Sequence, residues 1–218
     1  MWASARSFPA AIGRLFLLAG VVLLSGAAVS ASAAPYTPEE RAAIQQVETY
    51  LQGMKTLESR FVQHNPDGTS SQGKMYLRRP GYMRFEYDPP VPVLLISNGL
   101  WLIHVDHELK SSNYLPLKHT PAYFLVRENM SLSDGLTVTG IELTPGAVRV
   151  RVVEDDEPDV GSVILTFSER PFELRQWQIV DAIGKTVQIT LVEPKFGGRI
   201  EPTIFAFSDP YHDLGTSR

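Results

Sequence analysis

The residues that could do chemistry gather in two places. His104-x-Asp106-His107 offers three side chains of metal-ligating type. On a strand, residues 104 and 106 share a face and 107 does not, so the run falls short of the converging ligands a metal site needs. A strand end is the better reading. Asp155, Asp156, Glu157 and Asp159 crowd around Pro158. Such a loop could hold calcium weakly or be the solvated tip of a hairpin, and the tip is preferred. Serines and histidines elsewhere are scattered, with no G-x-S-x-G turn. There is no phosphate loop or dinucleotide fingerprint. The chain has no cysteine, which removes disulfides, thiolate metal sites, a cysteine nucleophile and a lipid attached through cysteine. These patterns point away from an enzyme and imply no metal and no cofactor.

Composition is that of an ordinary folded domain. The 218 residues are 44% hydrophobic and 20% charged, an ordinary globular balance. There are 20 basic and 24 acidic residues. Arg6 and Arg14 are the only charges before residue 34, and without them the balance is 18 against 24, a net of −6. A body of that charge is a poor partner for nucleic acid, where lysine and arginine must displace counterions from phosphates.

The first residues read as an address. Residues 1–14 carry positive charge only, Leu15 to Leu24 is an unbroken apolar run, and Ala31-Ser32-Ala33 fits a small-x-small cleavage site. Ten residues of helix span about 15 Å, half of a bilayer core of about 30 Å. We read 1–33 as a cleaved secretory signal peptide and 34–218 as one exported β domain.

The elements that follow are one helix and many strands. Thr37-Pro38-Glu39-Glu40 is a helix start, with Thr37 as cap, Pro38 in the first position and Glu40 completing a capping box. Ile44, Val47, Leu51 and Met54 recur on one face, which predicts an amphipathic helix over 38–53. After Gly53 the period becomes two. Strands are predicted near 56–64, 72–79, 82–88, 92–97, 100–105, 109–114, 136–143, 147–153, 161–168, 172–180 and 185–192, with a further extended piece near 203–207. Asn98-Gly99 is the clearest hairpin turn. Short connections imply an antiparallel meander. One excursion breaks it: Thr120-Pro121 before an apolar run predicts a short helix over 121–128.

Alternation assigns faces. Val148, Val150 and Val152 oppose Arg149 and Arg151. Met75, Leu77 and Arg79 share a face, so a strand that buries the first two turns Arg79 inward as well. Met83, Phe85 and Tyr87 alternate with Tyr82, Arg84 and Glu86. The 92–105 hairpin is apolar on both faces. One layer of sheet with two short helices has too little cover for a whole apolar face. Either the sheet curls towards a barrel or the helices lie in its concavity. Both leave apolar space between sheet and helices, which a ligand or plain side chains could fill.

The stretch from Phe61 to Leu125 resembles the outer-membrane lipoprotein carrier family (LolA-like proteins). The matching residues are Phe61-Val62-Gln63, Gly73-Lys74-Met75-Tyr76-Leu77, Arg79-Pro80-Gly81, Arg84-Phe85-Glu86-Tyr87, Pro90, the strand and turn from Leu94 to Gly99, Asp106, and Thr120-Pro121-Ala122-Tyr123-Phe124-Leu125. The resemblance implies a mainly β fold, an incomplete antiparallel β-barrel of about 11 strands with short helices covering its concave apolar face. It implies a periplasmic carrier, a monomer, that takes acylated lipoproteins from an inner-membrane ABC-type release complex and delivers them to an outer-membrane lipoprotein receptor. Lacking cysteine, the chain fits the soluble shuttle rather than an anchored receptor. A carrier of another lipid (phospholipid or glycolipid) and a lipoprotein-sensing signalling module are the alternatives.

The resemblance also implies that Arg79 latches the empty carrier by hydrogen bonds to the lid helices. Alternation aims Arg79 at the same side, although a rim arginine ending a strand in water would share its position. The expected lipid-binding lining is Met75, Leu77, Met83, Phe85 and Tyr87 from the sheet, Leu51 and Met54 from the first helix, and Phe124 and Leu125 from the second. Each could equally be plain core.

Overall fold

Thr37 and Glu40 close the capping box that starts the first helix. The Thr37 hydroxyl accepts from the Glu40 N–H at 3.2 Å, and the Glu40 carboxylate accepts from the Thr37 N–H at 2.7 Å. Two of the helix's orphan donors are thereby satisfied. The helix, α1, runs Pro38–Gly53 and buries Ala43, Val47 and Leu51, with Ile44 half-buried beside them. These coordinates are a computed structural model that describes residues 36–156, 158–159 and 161–211. The proposed signal peptide and Glu157 of the acidic loop lie outside those residues.

Eleven strands follow: β1 Thr56–His64, β2 Ser70–Arg78, β3 Tyr82–Tyr87, β4 Val93–Asn98, β5 Trp101–Asp106, β6 Ser111–Pro116, β7 Leu136–Thr144, β8 Ala147–Glu154, β9 Gly161–Glu169, β10 Phe172–Asp181 and β11 Thr186–Phe196. They form one sheet in the order β6-β5-β4-β3-β2-β1-β11-β10-β9-β8-β7. Every neighbouring pair is antiparallel. Two meanders are therefore joined through the β1–β11 pair, and among the described residues β6 and β7 are the edges of the sheet. This is the incomplete barrel that the resemblance implied.

The connection between those edges, residues 117–135, covers the sheet. It contains a 3-10 turn at Leu117–His119 and a short helix, α2, at Tyr123–Val126. Phe124, Leu125, Val126, Met130 and Leu132 from this connection join one apolar core with Val47 and Leu51 of α1 and with Met75, Leu77, Val150, Phe167 and Trp177 of the sheet. The helix expected over 121–128 is thus shorter and begins later. Thr120 does not cap it, because the Thr120 hydroxyl donates to the Leu117 carbonyl at 2.7 Å and closes the preceding turn.

Burial on both faces of the β4–β5 hairpin has a specific cause. Leu95 and Leu102 belong to the main core, whereas Ile96, Ile103 and Val105 form a second cluster on the other face. Phe207 and Tyr211 cover that cluster. The extended piece expected near 203–207 is instead a 3-10 turn at Pro202–Phe205, with proline in its first turn. Phe205 sits 5.6 Å from the Tyr82 ring, and the Arg78 guanidinium lies 4.6 Å from Tyr82 and 5.0 Å from Phe205. A turn presents both a ring and a carbonyl to the sheet here, since the Ile204 carbonyl accepts from Arg84.

Gly73 sets the spacing of β2 against its neighbours. It faces Phe61 on β1 and Tyr87 on β3. A Cβ at this position would fall 1.9 Å from the Glu86 carbonyl oxygen and 3.0 Å from the Phe61 ring. Backbone would have to move to admit it. Gly73→Ala is therefore expected to destabilise the fold by about 1–3 kcal/mol, the range for overpacking a tight interior. A lowered urea midpoint checks this, and an unchanged midpoint would show that β2 and β3 have room to part.

Candidate functional site

The site grows from the end of β2. The strand buries Gly73, Met75 and Leu77 on one face, and the chain carries that alternation past Arg78 to Arg79, which is 8% exposed. Pro80 stops the strand, and the Arg79–Pro80 bond is cis. Gly81 then turns the chain with φ of +86°, and a Cβ there would lie 2.8 Å from Gly99 Cα. Only glycine combines that dihedral with that approach.

Arg79 reaches both elements of the cover. Its Nε donates to the Leu125 carbonyl at 2.8 Å. Its Nη1 donates to the Leu51 carbonyl at 2.5 Å and the Met54 carbonyl at 3.1 Å. Carbonyls at a helix C-terminus lack intrahelical partners and carry negative partial charge, so a cation is well matched to them. The backbone of the same turn adds two bonds: Arg79 N–H to the Lys55 carbonyl and Gly81 N–H to the Val126 carbonyl, both 2.8 Å. Residues 79–81 thus clasp the C-terminal ends of α1 and α2 through five hydrogen bonds.

Among the described residues no acid pairs with this cation. Burial pulls its pKa down to about 10, which leaves it protonated near neutral pH. The carbonyl dipoles do the work a carboxylate would otherwise do. Each bond to a charged group contributes about 1.5–3 kcal/mol, enough to hold a cover and small enough to break.

Ser97 holds the turn from behind. Its fully buried hydroxyl donates to the Gly81 carbonyl at 2.7 Å and accepts from the Met83 N–H at 2.9 Å. Sequence reading passed over this residue, since a serine inside an apolar strand gives no sign of the turn it faces across the sheet.

The expected lining residues are brought together, but as packed core. Leu51, Met54, Met75, Leu77, Met83, Phe85, Phe124 and Leu125 are all buried in one cluster, with Tyr87 half-buried against it. Tyr87 donates to Gln63 at 2.7 Å, and burial raises its pKa to about 12. One apolar opening lies elsewhere, in a half-enclosed slot between residues 118–124 and the ends of β8, β9 and β10. Pro121, Phe124, Val152, Val163 and Ile179 line it, and Phe124 alone was expected. Its volume is about 90 Å³, below the roughly 150 Å³ that houses one benzene. Val152 was legible as inward-facing, but nothing in the letters says which strands the cover leaves bare.

The other candidates have structural duties. Asp106 accepts the Glu108 and Leu109 N–H groups in a turn, and His107 meets the Tyr211 hydroxyl at 2.8 Å. Asp155 accepts from the Thr137 hydroxyl at 2.6 Å.

Comparison with known proteins agrees on one family. The model of the family described as outer membrane lipoprotein carrier protein LolA matches residues 52–208. The chain is 31% identical to the outer-membrane lipoprotein carrier protein of Azotobacter vinelandii, over 87% of this chain and 94% of that one. It is 29% identical to the protein of that name from Pseudomonas aeruginosa, over 84% and 92%. The corresponding protein of Methylococcus capsulatus is 28% identical, over 83% and 88%.

Removing the Ser97 hydroxyl strands the buried Gly81 carbonyl and Met83 N–H. Ser97→Ala is expected to cost about 1–3 kcal/mol and to speed amide exchange at Gly81 and in the 125–127 segment. Exchange unchanged there would mean that Ser97 does not brace the clasp.

Proposed function

Since the chain belongs to the outer-membrane lipoprotein carrier (LolA) family, we propose that it is a periplasmic carrier for the acyl chains of lipoproteins. In this reading residues 1–33 are a signal peptide and 34–218 form one carrier domain. The carrier receives its cargo from an inner-membrane ABC-type release complex and gives it up to an outer-membrane receptor. It works without catalysing a reaction.

The observation that carries the proposal is the Arg79 clasp over an apolar face. A carrier has to solve a transfer problem. Each buried CH₂ is worth roughly 0.8 kcal/mol, so several acyl chains released into water would cost on the order of 30 kcal/mol. A container is needed for the crossing, and it must also empty. In the closed state the cover's own Val47, Leu51, Phe124, Leu125, Val126, Met130 and Leu132 occupy the apolar face. They stand in for cargo. Acyl chains enter by displacing them, and closing the cover expels the chains again. The empty and loaded states then compete on similar terms, so a modest difference in affinity at each membrane sets the direction. ATP hydrolysis at the release complex drives loading.

Arg79 biases that competition towards the empty state. Arg79→Leu is expected to take up labelled lipoprotein from vesicles bearing the release complex and ATP, as the unmodified chain does. It should pass cargo to receptor-bearing vesicles at least about tenfold more slowly, since about 1.4 kcal/mol lost from the closed state is a factor of ten. Transfer at the unmodified rate would remove the latch role. A failure of ATP to produce any soluble lipoprotein complex would remove the carrier function itself.

A further inference from the structure

Among the described residues Arg79 is the one charged side chain in the buried core, and its donors are not all used. Nε and Nη1 account for its three side-chain bonds. Nη2 is buried and has no partner. The ion pairs of the described residues involve Arg60, Arg84, Arg149, Arg175 and Arg199 instead. A guanidinium has five N–H donors, and those left without acceptors in apolar surroundings are costly. A group left so in a native interior asks for a reason.

The reason lies in what happens when the cover lifts. The three carbonyls on Arg79 belong to the cover and leave with it. The guanidinium then faces an apolar hollow, with Met75 and Leu77 on its own strand and Met83 across from Leu77. Hydrocarbon offers it nothing. The first acceptors an acyl chain brings are the carbonyl oxygens of the esters that join it to glycerol.

We infer that Arg79 is also a cargo-binding residue. On loading it exchanges the Leu51, Met54 and Leu125 carbonyls for ester carbonyl oxygens of the acylglyceryl group, beginning with the idle Nη2. The inference rests on the carrier reading above. It gives the hollow a polar depth mark, because chains slide in until their esters reach Arg79. The loaded state regains only part of the three side-chain bonds that the closed cover gives Arg79, so the bias towards the empty state is reduced and not removed.

The test compares two synthetic probes: an N-palmitoyl-S-[2,3-bis(palmitoyloxy)propyl]cysteine peptide and the same peptide with ethers in place of the two esters. The unmodified chain should bind the ester form roughly tenfold more tightly, the weight of one charge-assisted hydrogen bond, and Arg79→Leu should bring the ratio to about one. A second readout needs no variant. With ¹³C-labelled ester carbonyls, the bound C=O stretch should lie at lower wavenumber than in dry hydrocarbon. Equal affinities in the unmodified chain, a preference that survives in Arg79→Leu, or an unshifted stretch would each overturn the inference while leaving the carrier reading intact. Uptake of neither probe would overturn both.

Discussion

A buried guanidinium with no acid beside it among the described residues must be solvated by something, and here the solvent is the backbone of the cover. Arg79 takes its acceptors from the last turn of α1 and from α2, two elements that share no strand and no loop. This side chain and the turn that carries it tie both to the end of β2, while Glu48 of α1 separately accepts from Ser131 and Leu132 of the 117–135 connection. A carboxylate partner would have made a stronger and less reversible closure, since breaking a buried ion pair strands a charge. Carbonyl acceptors make the closure polar, directional and exchangeable. The rest of the site follows from that choice: proline to end the strand, a glycine that tolerates positive φ against Gly99, and Ser97 to brace the turn.

The second constraint is geometric. An open sheet of eleven strands has one apolar face too wide for two short helices to cover completely. The 117–135 connection spreads its apolar side chains across the gap between the two sheet edges, and a slot remains over β8, β9 and β10. Close packing elsewhere means that the closed molecule holds its shape through its own cover. In the proposed carrier, an acyl chain and the cover would compete for one surface.

The elements were largely legible. Pattern and turn chemistry placed α1 and all eleven strands within a few residues, because period, caps and Asn-Gly turns are local properties. The short helix was overextended, because Thr120-Pro121 looks like a cap and first position whether or not the hydroxyl is spent on the turn before it. Residues 203–205 form a turn and not the expected extended piece, because their conformation answers to Arg78 at the end of β2 and to Tyr82 and Arg84 on β3.

By itself the sequence favoured an inward Arg79, since side chains two apart on a strand share a face with Met75 and Leu77, but it left a rim arginine in water as the alternative, and burial was decided by the fold. The sequence determined the amphipathic cover and the absence of any cysteine. Tertiary structure alone decided what Arg79 touches, that Ser97 and Gly81 complete the clasp, and that the expected lining is packed while a slot opens over β8–β10. The physical reason is range. Alternation and capping act over a few residues, whereas the carbonyls on Arg79 come from 25, 28 and 46 positions away, and only the folded chain brings them together.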